Sequence, residues 1–319
     1  MHTSIVVPLD GSVFGNAALP VAVALARRSD AALHLVQVRD PFTIAATGPF
    51  GAASLDAAEP LRRAELERIA AHLAREESLR VTAHFLDGPV VDTLQRYLEG
   101  SRHDLVVLMS HGRGGLSRAW LGSVADGLIR HASVPLLLLH QETPSIRDAV
   151  EPLFRRVIVP LDGSALAESV LDHVLALGTT DVTEYVILTV IAPHRELQSR
   201  EHDTVTFTAR SHDEQQRDAA LGYLNVVAAD LRSTGAVVTV RVEVHHQTAQ
   251  GILDAAAEHH ADLIALSAHG RGSVSRLIHG SVADKVIRGA TIAALVHHPS
   301  HVGREAFDAS ETAGSAAGR

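Results

Sequence analysis

The sequence predicts an α/β protein built as two tandem open parallel sheets, each with helices on both faces in the Rossmann-like manner. Three observations carry this. The run His111-Gly112-Arg113-Gly114-Gly115-Leu116-Ser117-Arg118-Ala119-Trp120-Leu121-Gly122-Ser123 has a twin 158 residues later, from His269 through Gly270 to Gly280-Ser281. Residues 5–12 (IVVPLDGS) recur at 157–164 (VIVPLDGS), an offset of 152. Short apolar runs then alternate with helical-period segments in the same order in both halves, the pattern of parallel strands joined by right-handed crossovers. Repeats of this length divide the 319 residues into domain 1 (1–140), a linker (141–153), domain 2 (154–298) and a tail (299–319).

In the first half, residues 4–9 are a buried strand ending in an Asp-Gly-Ser turn. Residues 16–28 carry Ala, Leu and Val at helical spacing, and 33–38 form a second strand. Residues 40–59 contain Pro41, Gly48, Pro49 and Gly51 and read as a mobile connection. Pro60 suits the first turn of a helix that runs to Glu77. A strand at 79–86, a helix at 90–99 and a strand at 104–109 precede the glycine loop. A helix at 123–131 and a strand at 134–140 follow it. The second half repeats this with strands near 156–161, 185–190, 236–245, 262–267 and 291–297, and helices near 165–177, 213–233, 250–259 and 281–288. The linker holds Pro144 and Pro152, and the small polar tail from Ser300 is expected to be disordered. The strands at 134–139 and 292–296 are apolar enough to pack the halves together as a pseudo-dimer, with pairing into a homodimer as a further expectation.

Composition narrows the function. The net charge is −9 and the sole lysine is Lys285, so the basic footprint that nucleic acid demands is absent. No cysteine is present, which removes disulfides and thiol chemistry. No apolar run approaches the ~20 residues that span a bilayer, and the opening residues run directly into a strand rather than a signal peptide; a cytoplasmic protein is expected. Histidine is abundant, with 21 copies, and pH response is a side hypothesis beside plain codon bias. The pairs His245-His246, His259-His260 and His297-His298 lack carboxylates at ligand spacing, so no metal site of the protein's own is expected.

The repeated motifs suit phosphate. Glycines let backbone N–H groups approach an anion, and Gly122-Ser123 and Gly280-Ser281 stand where helices begin, with unpaired amides and a favourable dipole worth roughly 0.3–1 kcal/mol. The serine either adds a hydrogen bond to the ligand or caps the helix. Neither loop has the Gly-Lys-Ser/Thr of a Walker motif, and neither loop contains a lysine, so binding is better supported than rapid phosphoryl transfer. Arg113 and Arg271 are candidates to neutralise phosphate, and Asp126 and Asp284 read as helix-terminus groups. Asp10 and Asp162 follow the first strand of each repeat and the glycine loops follow the fourth, so adjacency of those strands would place Asp and loop on one crevice.

On these residues the chain resembles the universal stress protein family in its tandem form, across about residues 3–140 and 155–298. The resemblance implies five parallel strands in the order 3-2-1-4-5 in each half and ATP, with magnesium, as the bound cofactor. It puts Asp10 and Asp162 at the adenosine end and Val38 and Val190 opposite adenine. Gly112, Gly115, Gly122, Ser123, Gly270, Gly280 and Ser281 then hold the phosphates. The family motif resembles G-x2-G-x9-G-[S/T], and its first glycine falls here on Met109 and on Ser267. Serine is small and methionine bulky, so Ser267 joins the expected site and the second crevice is the better one. The implied function is that of a nucleotide-responsive stress or dormancy regulator read by an unidentified protein partner. A slow ATP hydrolase or adenylyl transferase, and a nucleotide-free scaffold, are the alternatives.

Overall fold

The structure, a computed structural model, describes residues 2–41, 48–100, 102–110, 121–140, 152–193, 202–268 and 281–299, with the side chains of 48–57, 202–212 and 281 outside that description. The expected tail and nearly all of the expected linker lie outside the described residues. The chain order is β1 (Ser4–Pro8), α1 (Val13–Asn16), α2 (Leu19–Ser29), β2 (Ala32–Arg39), α3 (Gly48–Glu76), β3 (Val81–Asp87), α4 (Val90–Glu99), β4 (Leu105–Met109), α5 (Ser123–His131) and β5 (Leu136–Leu139). The second half follows with β6 (Arg156–Pro160), α6 (Ala165–Glu168), α7 (Leu171–Leu177), β7 (Glu184–Ile191), α8 (His202–Ser233), β8 (Val237–Val244), α9 (Thr248–Glu258), β9 (Leu263–Ser267), α10 (Ser281–Gly289) and β10 (Ala293–His297).

Each half has the strand order 3-2-1-4-5, and the two halves join into one ten-stranded sheet, β3-β2-β1-β4-β5-β10-β9-β6-β7-β8. All pairs within a half are parallel; the join, β5 against β10, is antiparallel, with Leu138 opposite Ala294 and Leu136 opposite Val296. The apolar terminal strands therefore bury each other's edges, the physical remedy for an exposed edge. All four leucines of β5 are fully buried. Alternation along the strands builds two cores. Ile5, Val7, Leu137 and Leu139 face one side with α2, α7 and α8, whereas Val6, Leu136 and Leu138 face the other with α4, α5, α9 and α10. Both cores draw residues from both halves.

The strands fall where the sequence places them; four helices differ. The segments 16–28 and 165–177 are each broken into a short turn and a longer helix. In the first, Ser12 caps the short turn and Pro20 sits in the opening turn of the next helix, consistent with its missing N–H. The expected connection at 40–59 is helical from Gly48, with Pro60 inside α3 rather than at its start. The alanines at 52, 53, 57 and 58 are strong helix formers and outweigh the glycine and proline signals there. Likewise α8 begins at His202, eleven residues before the expected start at 213.

Candidate functional site

The Asp-Gly-Ser turns are built alike. Asp162 Oδ1 accepts hydrogen bonds from Ser164 N (3.0 Å) and Ser164 Oγ (2.6 Å), and Ser164 Oγ in turn accepts from Ala167 N (3.1 Å). In the first repeat the same bonds run from Ser12 N (2.9 Å) and Ser12 Oγ (2.6 Å) to Asp10 Oδ1, and from Gly15 N (3.0 Å) to Ser12 Oγ. Gly11 and Gly163 adopt φ of 73° and 86°, the left-handed region that glycine enters freely. The aspartates are thus fixed at the carboxyl ends of β1 and β6 before any ligand arrives.

In the second repeat Asp162, Val190 and Ser267 line one crevice of about 210 Å³, together with Pro160, Leu161, Ala167, Leu188, Thr189, Thr248, Ile252, Leu266 and Ala283. It opens beyond the carboxyl ends of β6, β7 and β9. Since β6 lies between β7 and β9, this is the point where strand order reverses and ligands of open α/β sheets bind. The volume is small beside the ~300–1,000 Å³ of typical ligand sites and has room for one part of a nucleotide. Leu161 N donates to Leu188 O at 2.8 Å, the last backbone bond between these strands. Two residues on, the alternation of a parallel ladder turns the N–H and C=O of Val190 to that same side, where the chain has already turned away at Asp162. Hydroxyls furnish the polar part of the wall. Thr189 Oγ1 donates to Leu161 O (2.8 Å), and Ser267 Oγ lies 3.0 Å from Ser169 Oγ.

The first repeat differs at the same place. The offset of 152 puts Gln37 where Thr189 stands, and the offset of 158 puts Met109 where Ser267 stands. Gln37 and Met109 are 5% and 9% exposed, so two larger side chains fill that strand end. Val38 is half-buried beside β3, and Asp10 holds its turn. Gly122 is the cap residue of α5 and makes no side-chain cap bond; Ser123 is the first helical residue, so it does not cap the helix. Gly122 N donates to Ser110 O (2.8 Å), which ties the loop end to β4. Ser281 opens α10 in the same way. Gly112, Gly115, Gly270 and Gly280, with Arg113 and Arg271, lie outside the described residues.

Asp126 and Asp284 pair with arginines. Asp126 accepts from Arg130 (2.7 Å) and, across the two halves, from Arg288 (2.6 Å), which also reaches Asp284 (2.9 Å). Burial alone raises the Asp126 carboxyl, but the hydrogen bonds from Arg130 and Arg288 prevail and hold it below the ordinary value. Among the described residues no group of three or more His, Asp or Glu is arranged to hold a metal. No described helix is long and apolar enough to cross a membrane. Sequence reasoning missed Thr189, Ser169, Thr248 and Ile252. Thr189 reaches the crevice through the register of β7, Thr248 and Ile252 through the packing of α9, and Ser169 only through its contact with Ser267, although Thr189 stands beside a residue the sequence did single out.

The model of the universal stress protein family matches residues 1–140 and again 153–298. The chain belongs to the universal stress protein family. A universal stress protein of Mycolicibacterium smegmatis is 27% identical over 301 residues, 92% of this chain and 97% of that one. One from Mycobacterium tuberculosis is 30% identical over 200 residues, 62% of either chain. The crystal structure of a universal stress protein from Archaeoglobus fulgidus superposes with a TM-score of 0.66 at 20% identity, covering 93% of this chain and 98% of that one, and so shares the fold.

Proposed function

We propose that this family member binds ATP, with magnesium carried on the phosphates, in the crevice of the second repeat, and that it serves as a nucleotide-responsive stress or dormancy regulator. The observation that carries the reading is the convergence of Asp162, Val190 and Ser267 on one crevice at the switch point of the sheet. The chemistry fits the adenosine part of the ligand. Backbone N–H and C=O of Val190 match the hydrogen-bonding edge of a purine, Ile252 and Leu266 offer apolar contact, and the fixed carboxylate of Asp162 suits ribose hydroxyls. Gly270, Gly280 and Ser281 hold the phosphates in this reading, as Gly112, Gly115, Gly122 and Ser123 would in the first repeat. There Gln37 and Met109 occupy the strand end, so Asp10 and Val38 face a filled crevice and one nucleotide binds per chain. The domains of this reading are 1–140 and 154–298, its location is the cytoplasm, and its output is a surface read by a protein partner.

Isothermal titration of nucleotide-stripped protein with ATP and magnesium tests this. A stoichiometry near one, abolished by Gly280→Val with the fold intact, is expected. A stoichiometry near two contradicts the filled first crevice, and the absence of heat and of any thermal shift overturns the binding reading.

A further inference from the structure

The joint between the repeats is chemically lopsided. The offset of 152 that relates the halves carries His2 onto Phe154 and Val21 onto His173, and the offset of 158 carries Leu139 onto His297. One of these two equivalent places is apolar: Val21, Leu139 and Phe154 are 0%, 0% and 1% exposed and belong to one buried cluster. The other holds three imidazoles. His2 precedes β1 of the first repeat, while His173 lies in the first turn of α7 and His297 closes β10 of the second. The His173 and His297 rings lie 4.2 Å apart. His2 is 4% exposed, and its Nε2 and the Nδ1 of His297 are buried with no hydrogen-bond partner among the described residues. Arg28 of α2 spans the same joint, its Nη2 donating to Ala176 O of α7 at 2.9 Å.

We propose that this histidine-lined side of the joint is a pH-sensitive seam, closed by neutral imidazoles near neutrality and loosened between the repeats when they take up protons. The surroundings favour the neutral form. Burial pushes His2 and His297 down to about 4 and lowers His173 as well. The charge of His173 lowers both other rings, Arg28 and the amino-terminal charge lower His2, and His298 lowers His297. Two carboxylates act the other way: Asp104 raises His2 and His173, and Asp172 raises His173, without outweighing burial. Asp104 is itself engaged by Thr3 N (2.6 Å), Thr3 Oγ1 (2.6 Å) and Ser4 N (3.0 Å). In the unfolded chain each imidazole takes its proton near the ordinary value of about 6.5, well before the folded one does. The unfolded state therefore binds more protons across that window. Stability falls as pH drops from about 6.5 toward about 4 and is flat above it.

The experiment places the apolar counterparts into the full chain, as His2→Phe, His173→Val and His297→Leu together. Between about pH 7 and about pH 5, above most carboxylate titration, the unmodified chain is expected to lose more of its Tm than the triple variant. Exchange of the β5 and β10 amides, corrected for intrinsic pH dependence, is expected to rise in the unmodified chain alone. Parallel Tm curves, or exchange that does not respond, overturn the proposal. Should the triple variant fail to fold, imidazole proton resonances of the unmodified chain decide the matter: His2, His173 and His297 staying neutral at about pH 5.5 supports the seam, and all three titrating near 6.5 overturns it.

Discussion

At the scale of single residues, the Asp-Gly-Ser turn shows how a short motif fixes its own geometry. Ser164 serves the turn twice, as donor to Asp162 and as the cap of α6, so its hydroxyl matters more than an exposed serine's would. Ser164→Ala is expected to lower the unfolding free energy by about 1 kcal/mol, the usual cost of a lost cap, as read by urea denaturation. The same change frees the Asp162 carboxylate from its strongest partner, and so is also expected to weaken ATP binding. Asp126 offers a prediction on pH. Its folded carboxyl lies below the ordinary 3.8 because Arg130 and Arg288 bind its charged form. A depressed carboxyl contributes stability that is complete above the unfolded value and lost as pH falls through the folded one. The stability difference between the unmodified chain and Asp126→Asn is therefore expected to be constant above about pH 5 and to shrink below about pH 4. A difference that stays constant into acid would mean that the arginine contacts contribute nothing through the charge.

Among the elements, β5 and β10 decide how the halves combine. Each is short, and in β5 every side chain is fully buried. Leu138 stands opposite Ala294 in the antiparallel ladder, so truncation there leaves a void that the small partner cannot fill. Leu138→Ala is expected to cost about 2–5 kcal/mol in chemical denaturation, toward the upper end for want of a neighbour to collapse inward. These strands were legible in the sequence because an apolar run buried on both faces needs no periodicity to be recognised. Their mutual pairing followed from the same unrelieved apolarity. The Asp-Gly-Ser turns were legible too, because duplication repeats each behind an apolar strand, whereas Val190 entered only through the family resemblance. The start of α3 before Pro60 was not: Gly48, Pro49 and Pro60 signal a break locally, whereas the alanines at 52, 53, 57 and 58 favour continuation. The Ser169–Ser267 contact was equally hidden, since it joins residues 98 apart through the register of α6, α7 and β9.

For the molecule as a whole, the consequence of that joint is cooperation. Two cores run on opposite faces of one sheet, and each takes buried residues from both repeats. Arg288 reaches Asp126 on one face and Arg28 reaches Ala176 on the other, so both faces are also linked by polar contacts across the joint. A chain of 319 residues with two self-sufficient halves would ordinarily melt in two steps. Here neither half can leave without exposing β5 or β10 and the apolar side chains stacked over them. Calorimetry is therefore expected to give a single endotherm at neutral pH. If ATP binds in the second crevice as proposed, saturation at about 100 times its Kd adds roughly 2.7 kcal/mol, and that increment should carry the first repeat with it. Two endotherms, of which ATP moves one, would mean that the continuous sheet does not couple the halves. One endotherm that splits on acidification would locate the weak point at the joint. The triple histidine replacement should then abolish the splitting, because it restores on the second side the apolar packing already present on the first.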